Sequence, residues 1–240
     1  MEIFKNRNDK AYIRIIAILT AMAAAASIIG IIMASTNNTN NVLIATEILL
    51  TTFTMIGIAI FSFLYPFHLL NVDYKNKVIS LIFAGGVSRK QYYFVKIGAT
   101  ILSCLIAFFI ILFIPIMIWL VAYPAEFTEL IRNIFRNFKP EDISSFMLAS
   151  ILGLIANIVM LTTAVIISKG KITGIFLYLA FSFIVSIVQG FFMPDNISLF
   201  MINNTDMEIS QYFYQTAIFA VFQIIAFTFI GLRVLDKQDL

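Results

Sequence analysis

Six long apolar runs separated by short polar stretches set the pattern of this chain. They fall at 13–34, 42–67, 97–121, 146–167, 172–193 and 213–232. Each can cross a hydrocarbon core of about 30 Å, which takes about 20 helical residues. Helices are expected throughout, because a lone strand leaves its backbone N–H and C=O groups unpaired in lipid. The expected fold is therefore all-α: one transmembrane domain over residues 1–240 with six membrane-spanning helices.

The polar interruptions differ in kind. Between the second and third runs, Asp73, Lys75, Lys77, Arg89, Lys90 and Lys96 surround the apolar group Val78, Ile79, Leu81, Ile82 and Phe83. Gly85-Gly86 ends that group, and Ser88 stands where it can cap the helix that opens the third span. A short helix outside the bilayer core, held at a fixed angle, is expected there. Between the third and fourth runs, Phe127, Leu130, Ile131, Ile134, Phe135 and Phe138 recur at helical spacing opposite Glu126, Glu129, Arg132, Asn133, Arg136 and Asn137. This spacing predicts an amphipathic helix over 125–139, lying in the headgroup region. The loop 194–210 carries an apolar patch from Ile197 to Ile202, which dips into the bilayer only if protein covers its backbone. In the first run, Ala21, Ala25, Ala26, Ser27 and Gly30 offer small side chains for close helix contact.

Charge orients the bundle. Of 16 Lys and Arg, 13 fall in alternate segments: Lys5, Arg7, Lys10 and Arg14; Lys75, Lys77, Arg89, Lys90 and Lys96; Lys169 and Lys171; Arg233 and Lys237. Short positive loops stay on the cytoplasmic side, so both termini are expected there, with the 125–139 helix outside. Topology accounts for the net charge of +3, which carries no nucleic-acid signal. Small residues at 23–26 after a basic start resemble a signal-cleavage site, but the apolar run continues through Ile28, Ile29, Ile31 and Ile32, so a retained span is expected. The strong Ile, Asn, Lys and Phe bias points to an AT-rich bacterial genome and a plasma-membrane location.

Little of the chain suggests catalysis. The Gly170-Lys171 pair has Val165 where a phosphate-binding loop needs its first glycine and Ile172 where it needs a hydroxyl. His68 is the only histidine and Cys104 the only cysteine, so no His-rich zinc site or cysteine pair is expected. No Gly-x-Ser-x-Gly elbow occurs. The reading is a non-enzyme with no catalytic residue, no metal and no cofactor of its own. Glu47 is the one acid within an apolar run, near the outer end of the second span, and reads as an external-vestibule or interface residue that could pair with Arg132 or Arg136. Thr51 and Thr54 mark a polar face on the second span; Tyr178, Ser182, Ser186 and Gln189 mark one on the fifth, beginning at Gly174. Two such faces either line an amphipathic substrate route or serve as polar glue between helices.

The 71–96 segment resembles the first inner loop of ABC-2 type transporter permeases, through Asp73, Leu81-Ile82, Ser88-Arg89 and Lys96. The charged stretch 233–240 is similar to that family's short tail after its last span. The family pattern has Glu at Asp73, Gly-Thr at Asn76-Lys77 and Pro at Gly86. The resemblance implies that Asp73, Val78, Leu81, Ile82, Ser88 and Arg89 couple the chain to a separate cytosolic ATPase, which would carry the ATP and Mg. It also implies a second permease subunit, as a homodimer or with a similar half, and export of an amphipathic peptide or lipid-like substrate from the bilayer, as in small bacterial peptide-export and bacteriocin-immunity permeases. The alternative is an ATP-independent immunity protein that sequesters a membrane-active peptide.

Overall fold

A computed structural model describes residues 10–36, 63–76, 78–122, 139–192 and 209–238, together with Pro124, Thr128 and Arg132. Among the described residues the elements are α1 (Lys10–Thr36), α2 (Tyr65–Lys75), α3 (Val78–Ala84), α4 (Arg89–Ala122), α5 (Pro140–Ile167), α6 (Thr173–Phe192) and α7 (Ile209–Asp236), with no strand. Five contain membrane-length apolar stretches: Tyr12–Ile29 in α1, all of α4, α5 and α6, and Ser210–Asp236 in α7. Among the described residues the protein is all-helical, and its long apolar helices are compatible with a multi-pass membrane protein. The expected second span at 42–67 lies outside the described residues except at its end, where Tyr65 opens α2. Most of the expected 125–139 helix, and the 194–210 loop up to α7, also lie outside them.

Several helices overrun their apolar cores. The sequence places the third span at 97–121, whereas α4 starts at Arg89. There Gln91 N–H donates to Ser88 Oγ and Ser88 N–H to Gln91 Oε1, both at 3.2 Å, a reciprocal cap that satisfies two otherwise orphaned donors. Pro115 lies inside α4, which continues to Ala122. The helix α5 likewise begins before the expected 146: Pro140 occupies its first turn, and Lys139 N–H donates to Asp142 Oδ2 at 3.1 Å. Glu141 and Asp142 in that turn complement the positive helix end.

The chain divides into two compact units. The first comprises Met1–Tyr65 and Leu102–Asn137. Tyr12, Ile16, Leu19, Ala23 and Ala26 form a buried stripe along α1, three or four residues apart, with Ser27 buried beside Ala26. Of the small residues expected to pack, Ala26 and Ser27 do so, joined by Ala23, while Ala21 and Ala25 are exposed. Tyr12 Oη donates to Ser103 O at 2.7 Å and its ring lies 4.9 Å from that of Tyr65. One side chain thereby ties α1 to α4.

The second unit comprises Pro66–Ile101 and Phe138–Leu240. Its core is α5, buried at 156 and at every position from 158 to 166, as expected of a helix apolar all round. The α7 helix runs parallel to it, shown by pairings in the same order along both: Phe146 with Phe213 (5.2 Å between rings), Met160 Sδ with Gln223 Nε2 (3.6 Å) and Thr163 Oγ1 with Phe227 O (2.9 Å). Gly231 permits the approach, since a Cβ there would stand 2.9 Å from both Thr163 Oγ1 and the Tyr93 ring. Between them in sequence, α6 reverses direction after a tight turn in which Lys169 and Gly170 adopt φ of 51° and 70°. Only Gly174 of α6 is buried, so most of its apolar surface is left for lipid or protein to cover.

Candidate functional site

The densest polar chemistry in the second unit gathers around the short helix α3. Three side chains on one face of α4, Arg89, Tyr92 and Lys96, meet the end of α2 and the segment that closes α7. Their spacing of three and four residues puts them on one stripe.

Lys96 Nζ lies 2.6 Å from Asp73 Oδ2, and the two side chains are 2% and 1% exposed. Tyr92 Oη donates to the same carboxylate oxygen at 3.2 Å. A buried charge is costly unless it is paired and hydrogen-bonded, and here both conditions hold. Asp73 therefore faces inward, neutralised by a residue 23 positions later in the chain.

Arg89 Nη1 donates to the carbonyls of Leu235, Asp236 and Gln238, the last two at 2.9 Å. A helix leaves its last carbonyls unpaired and carries partial negative charge there, which a guanidinium suits. The Arg89 guanidinium also sits 5.6 Å above the ring of Phe83, and Phe83 meets the Tyr92 ring edge-on at 5.5 Å. These contacts fix α3 against α4.

On the other side of α3, Tyr74 Oη donates to Gln238 Oε1 at 3.2 Å, and Gln238 Nε2 donates to Ile166 O at 2.5 Å. Burial pushes the Tyr74 hydroxyl above its ordinary acidity range, opposed by the Gln238 hydrogen bond and reinforced by the nearby Asp73 charge. Gly170 lies against this tyrosine: an added Cβ would stand 2.5 Å from Tyr74 Cβ.

The surface that results is α3 itself. Ile79 is 1% exposed and anchors it, while Leu81 is 71% exposed and points away. Val78, Ile82 and Phe83 are half-buried, and Gly85, Gly86, Val87 and Ser88 are exposed. The glycine stop works through backbone geometry: Gly85 N–H bonds Leu81 O at 3.0 Å, and Gly86 takes φ of 88°.

Of the residues singled out in the sequence, Asp73, Val78, Leu81, Ile82, Ser88 and Arg89 all fall in this region, in different roles. Asp73 and Arg89 are engaged within the chain, Ser88 caps α4, and Leu81 is presented outward. On α6, Tyr178 Oη lies 3.5 Å from Asn157 Oδ1 of α5, and Ser186 Oγ donates to Ser182 O of its own helix at 2.9 Å. Ser182 and Gln189 are half-buried. Glu47, Thr51 and Thr54 lie outside the described residues. Sequence reasoning passed over Tyr74, Tyr92 and Gln238. The 89, 92, 96 spacing was a readable signal, whereas nothing local marks Gln238 as a partner of residues more than 70 positions away.

Further along, α6 and α7 form a wholly apolar groove of about 440 Å³ lined by Val188, Phe192, Ile218, Phe219 and Phe222. Among the described residues no cluster of His, Cys, Asp and Glu could hold a metal. No protein-family model, curated protein or solved structure matches this chain.

Proposed function

We propose that this chain is the membrane subunit of an ATP-driven exporter, with α3 as the element that docks on a separate cytosolic ATPase of the ABC type. The observation that carries the reading is the pairing of Leu81, 71% exposed, with Ile79, 1% exposed, on a helix of only 7 residues. An isolated helix this short is unstable in water, so its shape depends on its mounting. A rigidly mounted apolar knob is what a mechanical contact with a motor requires. In this reading ATP and its Mg bind the partner, in keeping with the lack of a phosphate-binding Gly-x-x-x-x-Gly-Lys-Ser/Thr sequence in this chain.

Six spans with both termini cytoplasmic, a second copy of the chain and a bacterial plasma membrane belong to the same proposal. The apolar character of α6 and of the 440 Å³ groove supports an amphipathic or lipid-like substrate, with a peptide as the leading class. Replacing Leu81 and Ile82 by Asp tests the reading. The variant is expected to insert normally but to lose both transport and ATPase co-purification; an ATPase that still co-purifies at the wild-type level overturns it.

A further inference from the structure

The four-residue segment 235–238 touches the chain on both sides of α3. On the exit side, Arg89 donates to three of its carbonyls. On the entry side, Tyr74 donates to the Gln238 side chain, which in turn donates to Ile166 O at the end of α5. Leu235 is 0% exposed and Gln238 6%, so both ends of this segment are embedded in the fold although it lies at and beyond the end of α7, while Asp236 and Lys237 between them are exposed.

We infer that residues 235–238 form a strap that sets the orientation of α3 and links it mechanically to α5 and α7. The argument rests on connectivity. Between Tyr74 and Arg89 the chain carries α3 and two turns, and both Tyr74 and Arg89 are bound by the same four residues. Moving the end of α7 therefore moves both flanks of α3 together, a link to α7 that adds to the Asp73–Lys96 and Tyr92–Asp73 contacts already joining the two flanks to each other. Carbonyl acceptors suit the purpose: Arg89 reads the position of the α7 backbone, whatever side chains that backbone carries. The glycine turn beside α5 completes the seat, because a Cβ at Gly170 would displace Tyr74. Gln238 and Tyr74 are positioning residues that act through Arg89 and the α3 backbone.

The strap does not depend on the proposed function, but under that reading it becomes the link by which the last span and the docking helix move as one body. The test is amide hydrogen exchange on the full chain in lipid nanodiscs, comparing wild type with Gln238→Ala and Tyr74→Phe. The strap requires exchange at residues 79–87 to quicken about fivefold or more in Gln238→Ala, the loss of at least one hydrogen bond's protection, with the α5 amides before its last turn unchanged. Tyr74→Phe, which removes one hydroxyl and leaves the ring, should quicken the same amides by a smaller factor. Unchanged exchange at 79–87 in both variants overturns the strap, as does quickening spread equally over α5 in Tyr74→Phe. Because this readout uses no ATPase, loss of partner binding in other variants leaves it untouched. In a reconstituted exporter, Gln238→Ala should retain ATPase association but hydrolyse ATP with at least a several-fold drop in transport per ATP.

Discussion

Asp73 and Lys96 meet at 2.6 Å inside the protein, the first at the end of α2 and the second two turns into α4. Removing one partner strands a buried charge and is expected to cost about 3–5 kcal/mol, whereas exchanging both for apolar residues of similar volume costs far less. Asp73→Leu and Lys96→Met should each lower thermal stability in lipid sharply, and the double variant should recover most of the loss. Additive losses would show that the two side chains act independently.

Ile79 and Leu81, two residues apart on α3, should separate structure from recognition. Ile79→Asp buries an unpaired carboxylate and is expected to reduce yield of folded protein by destabilising the second unit. Leu81→Asp changes an exposed position and should shift stability by less than about 0.5 kcal/mol, while abolishing the proposed ATPase association. Thermal melts beside co-purification distinguish the two outcomes.

The glycines of the second unit differ in what surrounds them. Gly231→Ala places a Cβ 2.9 Å from Thr163 Oγ1 and the Tyr93 ring and is expected to destabilise by about 1–3 kcal/mol as α5 and α7 are forced apart. Gly153→Ala meets nothing within 4 Å, so helix propensity decides, and a gain of about 0.5–1 kcal/mol is expected. Unfolding midpoints of the two variants should move in opposite directions.

Tyr74 supplies a pH signature. Its hydroxyl is held above its ordinary 10.0, so the folded state resists losing that proton more than the unfolded state does. The stabilisation is complete below pH 10, and it falls as pH rises beyond that value toward the folded-state pKa. Tyr74→Phe lacks this titration. Its stability relative to wild type should therefore rise as the pH is taken above about 10, and a constant difference across that range would count against a buried, neutral Tyr74.

Much of this architecture was legible because the bilayer simplifies the code. Long apolar runs can only be helices there, and α4, α5 and α7 contain their expected spans, while α6 (Thr173–Phe192) covers all but the two end positions of 172–193. The glycine stop after α3 and the Ser88 cap were also readable, since each rests on a local backbone rule. Helix ends were less so: α4 and α5 extend through polar residues whose partners hold them in the fold, and hydropathy alone is blind to that. The site was legible in part. Asp73 and Arg89 stood out by charge and position as coupling residues, but their intrachain partners did not: Asp73 meets Lys96 and Arg89 meets the backbone carbonyls at the end of α7. Those pairings span 23 to 149 positions of chain, and carbonyl acceptors leave no trace in side-chain identity.

The turn after α5 bears on how the protein is made. Only residues 168–172 separate α5 from α6, with Lys169 and Gly170 in left-handed conformations and Gly170 N–H bonded to Val165 O at 3.0 Å. Such a connection leaves no slack between the two helices in the folded protein. A tag or epitope inserted there is therefore expected to lower the yield of folded protein, because it would separate the two helices and unseat Gly170 from Tyr74.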